Sequence, residues 1–170
     1  MDRLPWEGLD IRHLEAADYD LIAPVVDDWW GGRPMRALVQ RLFFEHFGPT
    51  SFLVTSPEGA LAFLIGFRSQ SHVDTGYIHF VGVHPDLRGR GVGRFLYERF
   101  FDSVRSLGCT RVECITSPTN RNSVAFHRRM GFELLQGDGE VDGLPVALNH
   151  SGDGQHRVLF RKLLQPERDA

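Results

Sequence analysis

Between Arg88 and Arg94 the chain reads RGRGVGR, three glycines and three arginines in seven positions. This segment runs straight into a helical pattern, and the chemistry it suits is anion binding. Backbone N–H groups at the positive end of a helix attract a phosphate, and glycine lets that backbone approach closely. A pyrophosphate fits such a strand-to-helix turn well. Elsewhere, His79 and His127 have the side chain that changes charge near neutral pH. Asp27, Asp28, Trp29 and Trp30 are consecutive; two carboxylates beside two indoles could attract and enclose a cation by charge and cation–π contact. Cys109 and Cys114 are too few for a disulfide framework and lack a usual zinc spacing, so they read as two reduced thiols and no metal site is expected.

The elements that must position these residues follow from periodicity. Residues 9–14 alternate weakly as a first strand, and 16–30 read as a helix capped by Asp18, with apolar positions at 21, 22, 25, 26, 29 and 30. GGRP (31–34) breaks the chain, and Pro34 suits the first turn of a second helix running to about His46. Residues 51–56 and 60–70 are strand-like runs joined by the hairpin signal PEG, and GYIHFVGVH (76–84) is a fourth strand. The glycine-rich segment then opens a helix with one apolar stripe, Val92, Phe95, Leu96, Phe100, Val104 and Leu107. RVECIT, NRNSVAFHRRM, FELL and HRVLFRKLL follow as strand, short helix, strand and strand, with a Gly- and Asp-rich loop over 136–154. The order predicts one mixed α/β domain over residues 1–170, a central sheet of about seven strands flanked by helices.

Three nucleotide motifs compete for the glycine-rich segment, and each fails. A Walker loop needs Gly-Lys-Ser/Thr; a dinucleotide fingerprint needs G-x-G-x-x-G early in the chain; an RGG tract would repeat and lack the amphipathic helix that follows. What remains is R-x-x-G-x-G at Arg88, Gly91 and Gly93, after the strand IHFVGVHP. A second stretch, NRNSVAFHRRMGF over 120–132, resembles a later motif found with it: an Asn, a Tyr seven positions on, then Gly-Phe. On these two stretches and their interval the chain resembles the GCN5-related N-acetyltransferases, and the element order is similar to that family's as well.

The resemblance implies acetyl-CoA as co-substrate. Its pyrophosphate would lie on the amides of Gly89, Arg90, Gly91, Val92, Gly93 and Arg94, with Arg88 and Arg90 adding charge or standing as solvated surface. The outer backbone of Val81, Gly82 and Val83 would pair with the pantetheine arm and offer an N–H to the thioester carbonyl. Asn120 would cap its helix and meet the pantetheine arm; Asn120, Ser123 and His127 recur on one helical face, leaving Phe126 and Met130 to the core and Gly131 to the C-cap. His127 stands where the family commonly has a tyrosine acid, so it either protonates the departing thiolate or packs and orients. Tyr77 and His79 hold positions where members carry a base, and alternation puts Tyr77, His79, Val81 and Val83 on one face. His84, beside Pro85, reads as structural. The resemblance sets Asp27, Asp28, Trp29 and Trp30 where two helices border the acceptor, with solvated carboxylates over core indoles as the alternative.

The activity implied is acetyl transfer to a primary amine of a small molecule, by direct attack on the thioester. Acetylation of protein N-termini or lysines is a rival, as is a non-catalytic acyl-CoA-binding module. A net charge of −3 argues against general nucleic-acid affinity. No apolar run approaches the roughly 20 residues that span a bilayer. The opening MDRLPWEGLD lacks a basic start followed by an apolar segment, so no signal peptide is read and a cytoplasmic location is expected. A homodimer is left open.

Overall fold

The structure is a computed structural model that describes residues 2–3 and 9–165; most of the N-terminal segment read above lies outside them. The strands are β1 (Asp2–Arg3), β2 (Asp10–His13), β3 (Phe52–Ser56), β4 (Gly59–Arg68), β5 (Thr75–Val83), β6 (Arg111–Thr116), β7 (Glu133–Leu134), β8 (Gly139–Val141), β9 (Leu144–Val146) and β10 (Val158–Leu163), the longer ones rich in β-branched and aromatic residues. One mixed sheet of eight strands has the order β1-β2-β3-β4-β5-β6-β10-β7. Every neighbouring pair in it is antiparallel except β5 and β6. The two-residue β1 takes the count one above the expectation, on the same architecture.

Helices cover both faces. α1 (Tyr19–Ile22), α2 (Val26–Trp29) and α3 (Arg41–His46) pack on one side with Leu53, Phe63, Ile65 and Phe80. α4 (Val92–Ser106) and α5 (Arg121–Arg129) pack on the other with Leu64, Ile78, Val112 and Phe160. Within α4 the anticipated stripe is real: Val92, Leu96, Phe100 and Val104 are buried. Its last member, Leu107, is 43% exposed because the helix has already ended at Ser106.

Four local expectations need correction. The single helix over 16–30 is broken into α1 and α2, because Pro24 has no N–H for the carbonyl four residues back. Asp18 does not cap α1 with its side chain; its buried carboxylate is bonded to Arg12 at 2.6 and 2.7 Å and accepts from Glu15 N at 2.8 Å, the return bond of a capping box around the preceding 3-10 turn. The helix expected from Pro34 to His46 splits as well, into a 3-10 turn at Arg36–Leu38 and α3, with Gln40 extended at ψ 144° between them. The loop over 136–154 contains the β8–β9 hairpin, whose Leu144 and Val146 are buried in the core.

Candidate active site

β5 and β6 run side by side only at Thr75↔Arg111, Gly76↔Val112 and Tyr77↔Glu113, and then part. Beyond that vertex β5 continues to Val83, paired with β4 on its other side. His84 N donates to Leu61 O at 2.8 Å. Since antiparallel backbone groups alternate in direction, those of Gly82 turn toward β4 and those of Val81 and Val83 turn to the open side. The expected outer edge is therefore present. Gly82 is a glycine for a packing reason: a Cβ there would come within 2.4 Å of the Phe63 ring.

A bulge interrupts β5. Ile65 pairs with Phe80 but Gly66 with Ile78, so His79 is one residue too many for its partner. This corrects the expected alternation. Tyr77 and His79 lie on the α3 side, where Tyr77 meets Phe67 and His79 stacks on Phe43 at 4.2 Å. Val81 and Val83 pack on the α4 side.

A cleft of about 400 Å³ opens on the α4 side, with Val83, Gly91, Gly93, Phe126, Arg129 and Met130 among its walls. Gly91 is the N-cap residue of α4 at φ +87°, and Gly89 has φ +73°, both in the left-handed region that glycine occupies without strain. Arg90 is exposed, and Arg94 pairs with Glu98 at 2.8 Å within the helix. Arg88 points elsewhere: Nε donates to Val83 O at 3.1 Å and Nη2 donates to Trp29 O.

On α5, Asn120 Oδ1 accepts from Ser123 N at 3.2 Å, as a cap should. The expected division of its faces holds only in part. Phe126 and Met130 pack against the core, as expected, and also line the cleft, whereas His127 is 5% exposed and stacked on Phe160 at 4.5 Å. Its Nδ1 lies 2.7 Å from Ser123 O and its Nε2 lies 2.9 Å from Tyr97 Oη. A carbonyl only accepts, so Nδ1 carries the proton and the Tyr97 hydroxyl donates to Nε2. Burial depresses the His127 pKa, against a smaller raising effect of the Ser123 carbonyl.

His79 has the same logic with a different outcome. Its Nε2 lies 2.7 Å from the Leu38 carbonyl, which the break before α3 leaves without a helical partner. Nε2 therefore donates, and Nδ1 keeps its lone pair. Burial lowers the pKa of His79, partly offset by that hydrogen bond. Tyr77 is pushed up to about 12, chiefly by burial and then by Cys114 and Glu113, so its phenol stays protonated through the neutral range.

The four residues expected around the acceptor divide. Asp27 is committed to the loop, its Oδ1 accepting from Met35 N at 2.7 Å and Arg36 N at 2.8 Å. Trp29 is core, 5% exposed against Phe63 and His84. Trp30 is half-buried, stacked on Phe80 at 5.0 Å with the Arg88 guanidinium 5.9 Å from its ring centre. Only Asp28 keeps an exposed carboxylate. What sequence reasoning missed is Glu113 at the vertex, Leu38, and the cleft residues Phe126, Arg129 and Met130. Strand register brings in Glu113 and a helix break brings in Leu38, and neither leaves a motif; the cleft residues lie within the 120–132 stretch, on the face of α5 turned to the cleft.

Among the described residues no group of three His, Cys, Asp or Glu could hold a metal, and no helix is long and apolar enough to cross a membrane.

The Acetyltransferase (GNAT) family matches residues 10–132. The chain belongs to that family. Its residues fit the coenzyme a GNAT protein uses: left-handed glycines at the start of α4, a cleft beside them, and an outward-facing β5 edge beyond the vertex. A mycothiol acetyltransferase of Propionibacterium freudenreichii is 27% identical over 175 residues, covering 96% of this chain and 53% of that one. An L-2,4-diaminobutyric acid acetyltransferase of Nocardia farcinica is 35% identical over 93 residues, covering 52% and 48%. The chain thus spans about half the length of these curated relatives. Among solved structures, yncA of Salmonella typhimurium, solved with its cofactor acetyl-CoA, superposes with a TM-score of 0.66 at 18% identity, over 96% of this chain and 98% of that one.

Proposed function

We propose that this protein transfers the acetyl group of acetyl-CoA to a primary amine of a small molecule. The observation that carries the reading is the parting of β5 from β6 beyond Tyr77↔Glu113, beside the cleft at the start of α4. Membership of the GNAT family supports the reaction class, and relatives named for mycothiol and L-2,4-diaminobutyric acid support a small acceptor. When bound, acetyl-CoA supplies the acetyl group as an activated thioester. The amides from Gly89 to Arg94 hold its pyrophosphate, and Asn120 and Ser123 border the pantetheine arm. The outward N–H groups of Val81 and Val83 meet that arm and the thioester carbonyl.

His79 is assigned the base. An ammonium with pKa about 10.4 costs roughly 4–5 kcal/mol to deprotonate at pH 7, and a neutral imidazole with a fixed tautomer and an open Nδ1 takes that proton. The amine nitrogen bonds the acetyl carbon, the carbon–sulfur bond breaks, and the sulfur takes a proton from water. Tyr77 stays a donor. Both nitrogens of His127 are engaged and its pKa is depressed, which favours a positioning role, holding Ser123 and Tyr97, over proton donation.

The test is thiol release from acetyl-CoA across a panel of small amines and peptides. Wild-type protein is expected to turn over small amines, with kcat rising as pH climbs through a pKa below 6.5. His79→Ala is expected to lower kcat by roughly 10²- to 10⁴-fold, with acetyl-CoA affinity unchanged. Thiol release with peptides alone would overturn the acceptor class, and wild-type kcat in His79→Ala would remove the base.

A further inference from the structure

The sheet surface beside the vertex carries charges that acetyl transfer itself does not use. Strand register sets Tyr77 next to Glu113, Glu113 opposite Arg161, and Ile115 opposite Leu159. Register neighbours share a face. A Cβ on Gly76, one residue before Tyr77, would meet Val104 of α4 at 2.9 Å, so Tyr77 and its neighbours look out on the other side, the side of His79. This is the side from which an amine reaches a thioester laid along β5 from the α4 cleft.

The charges there are matched and incompletely used. Arg161 Nε donates to Glu113 Oε1 at 2.8 Å, and Nη2 stands 2.7 Å from the same oxygen as an ion pair. No described residue engages Glu113 Oε2, in a side chain 28% exposed, or the Nη1 of Arg161. Arg111 bonds Thr75 Oγ1 at 2.8 Å, faces Asp74 at 3.3 Å and also stands 3.8 Å from Glu113 Oε1. Glu133 stands across from Arg161 on β7 and is exposed. Beside the vertex this pair leaves one carboxylate oxygen and one guanidinium nitrogen without a described partner. Tyr77, the register neighbour of Glu113 on β5, is two residues from His79, a span of about 6–7 Å along that strand.

We infer that Glu113 and Arg161 form an acceptor subsite for an amino-acid head, Glu113 taking the α-ammonium and Arg161 the carboxylate, while a second amine on a short spacer reaches His79. The inference rests on the acetyltransferase reading and deepens it: the acceptor class is a small diamino acid. A cross-strand ion pair serving only the sheet would leave acceptor choice untouched.

Truncated acceptors separate these outcomes. L-2,4-diaminobutyrate is compared with 1,3-diaminopropane, which lacks the carboxylate, and with 4-aminobutyrate, which lacks the α-amine. Lysine, cadaverine and 6-aminohexanoate form the longer series. In at least one series the diamino acid is expected to exceed both truncated amines by about tenfold or more in kcat/KM, because a site built for a polar group rejects the analogue without it. Arg161→Gln is expected to bring the ratio over the diamine toward one. Glu113→Gln, which keeps an oxygen for Arg161 but removes the charge, is expected to do so for the ratio over the amino acid lacking the α-amine. Equal turnover of complete and truncated amines, or ratios unmoved in both variants, overturns the subsite and leaves the acetyltransferase reading standing. If no amine releases thiol, the subsite falls; if calorimetry then also finds no acetyl-CoA binding, the acetyltransferase reading falls with it.

Discussion

His127 shows how one side chain can be fixed by two neighbours and kept neutral by burial. Its folded-state pKa is depressed, mainly by burial, so between that value and about 6.5 the unfolded chain binds the extra proton. Stability linked to His127 is therefore complete above about pH 6.5 and is lost as pH falls toward the folded pKa; His79, also depressed, has the same sign. Urea unfolding from pH 7 down to 5 should show wild-type stability declining, and His127→Phe should flatten part of that decline. The same variant should lose about 1–3 kcal/mol at pH 7, because the buried Tyr97 hydroxyl loses its acceptor. An unchanged pH slope would mean the ring titrates normally. Asp27 makes a similar point about two adjacent carboxylates that look alike in sequence. Asp27→Ala should cost about 1–2 kcal/mol, since two backbone amides lose a charged acceptor, whereas Asp28→Ala should stay within about 0.5 kcal/mol. Equal denaturation midpoints in the two variants would contradict this assignment.

At the scale of elements, the glycine-rich turn carries the clearest prediction. Gly91 sits at φ +87° as the cap of α4, where a β-branched residue is a genuine outlier. Gly91→Val must either distort the turn or place its side chain against the cleft. Calorimetric titration is expected to show no coenzyme A binding, with the circular dichroism of a folded protein; wild-type affinity would remove the phosphate-binding assignment. This element was legible because phosphate chemistry dictates glycine, spacing and a following helix together. The order of elements along the chain and the α4 stripe were legible for the same kind of reason, since periodicity follows directly from burial. What stayed hidden depended on partners. Alternation along β5 assumes one residue per partner, and the His79 bulge breaks that count without any unusual residue to announce it. Pro24 announces the break between α1 and α2, but apolar periodicity over 16–30 outweighed it. The Val39–Gln40 break has no such marker, yet it frees the Leu38 carbonyl that fixes the tautomer of His79.

In the whole molecule, the proposed function puts the sheet between two ligands, coenzyme on the α4 side and acceptor on the side of α1, α2 and α3. Arg88 is a second place, besides the vertex, where those sides are joined. From its position in R-x-x-G-x-G it was expected either to add charge for the pyrophosphate or to stand as solvated surface. Instead it donates from Nε to Val83 O, at the outer edge of β5, and from Nη2 to Trp29 O, at the end of α2. The guanidinium also lies over the half-buried Trp30. One planar cation thus ties the phosphate loop to the segment that stacks on Phe80, the neighbour of His79. Lysine keeps the charge but cannot bridge two carbonyls and lie flat over an indole at once. Arg88→Lys is therefore expected to raise the acceptor KM about three- to tenfold, the worth of roughly one net hydrogen bond, while the dissociation constant of acetyl-CoA stays nearly constant. Tryptophan emission should shift as Trp30 loosens. If acetyl-CoA affinity falls tenfold and the acceptor KM stands still, the guanidinium belongs to the phosphate in the complex, and the tie to α2 exists only without coenzyme.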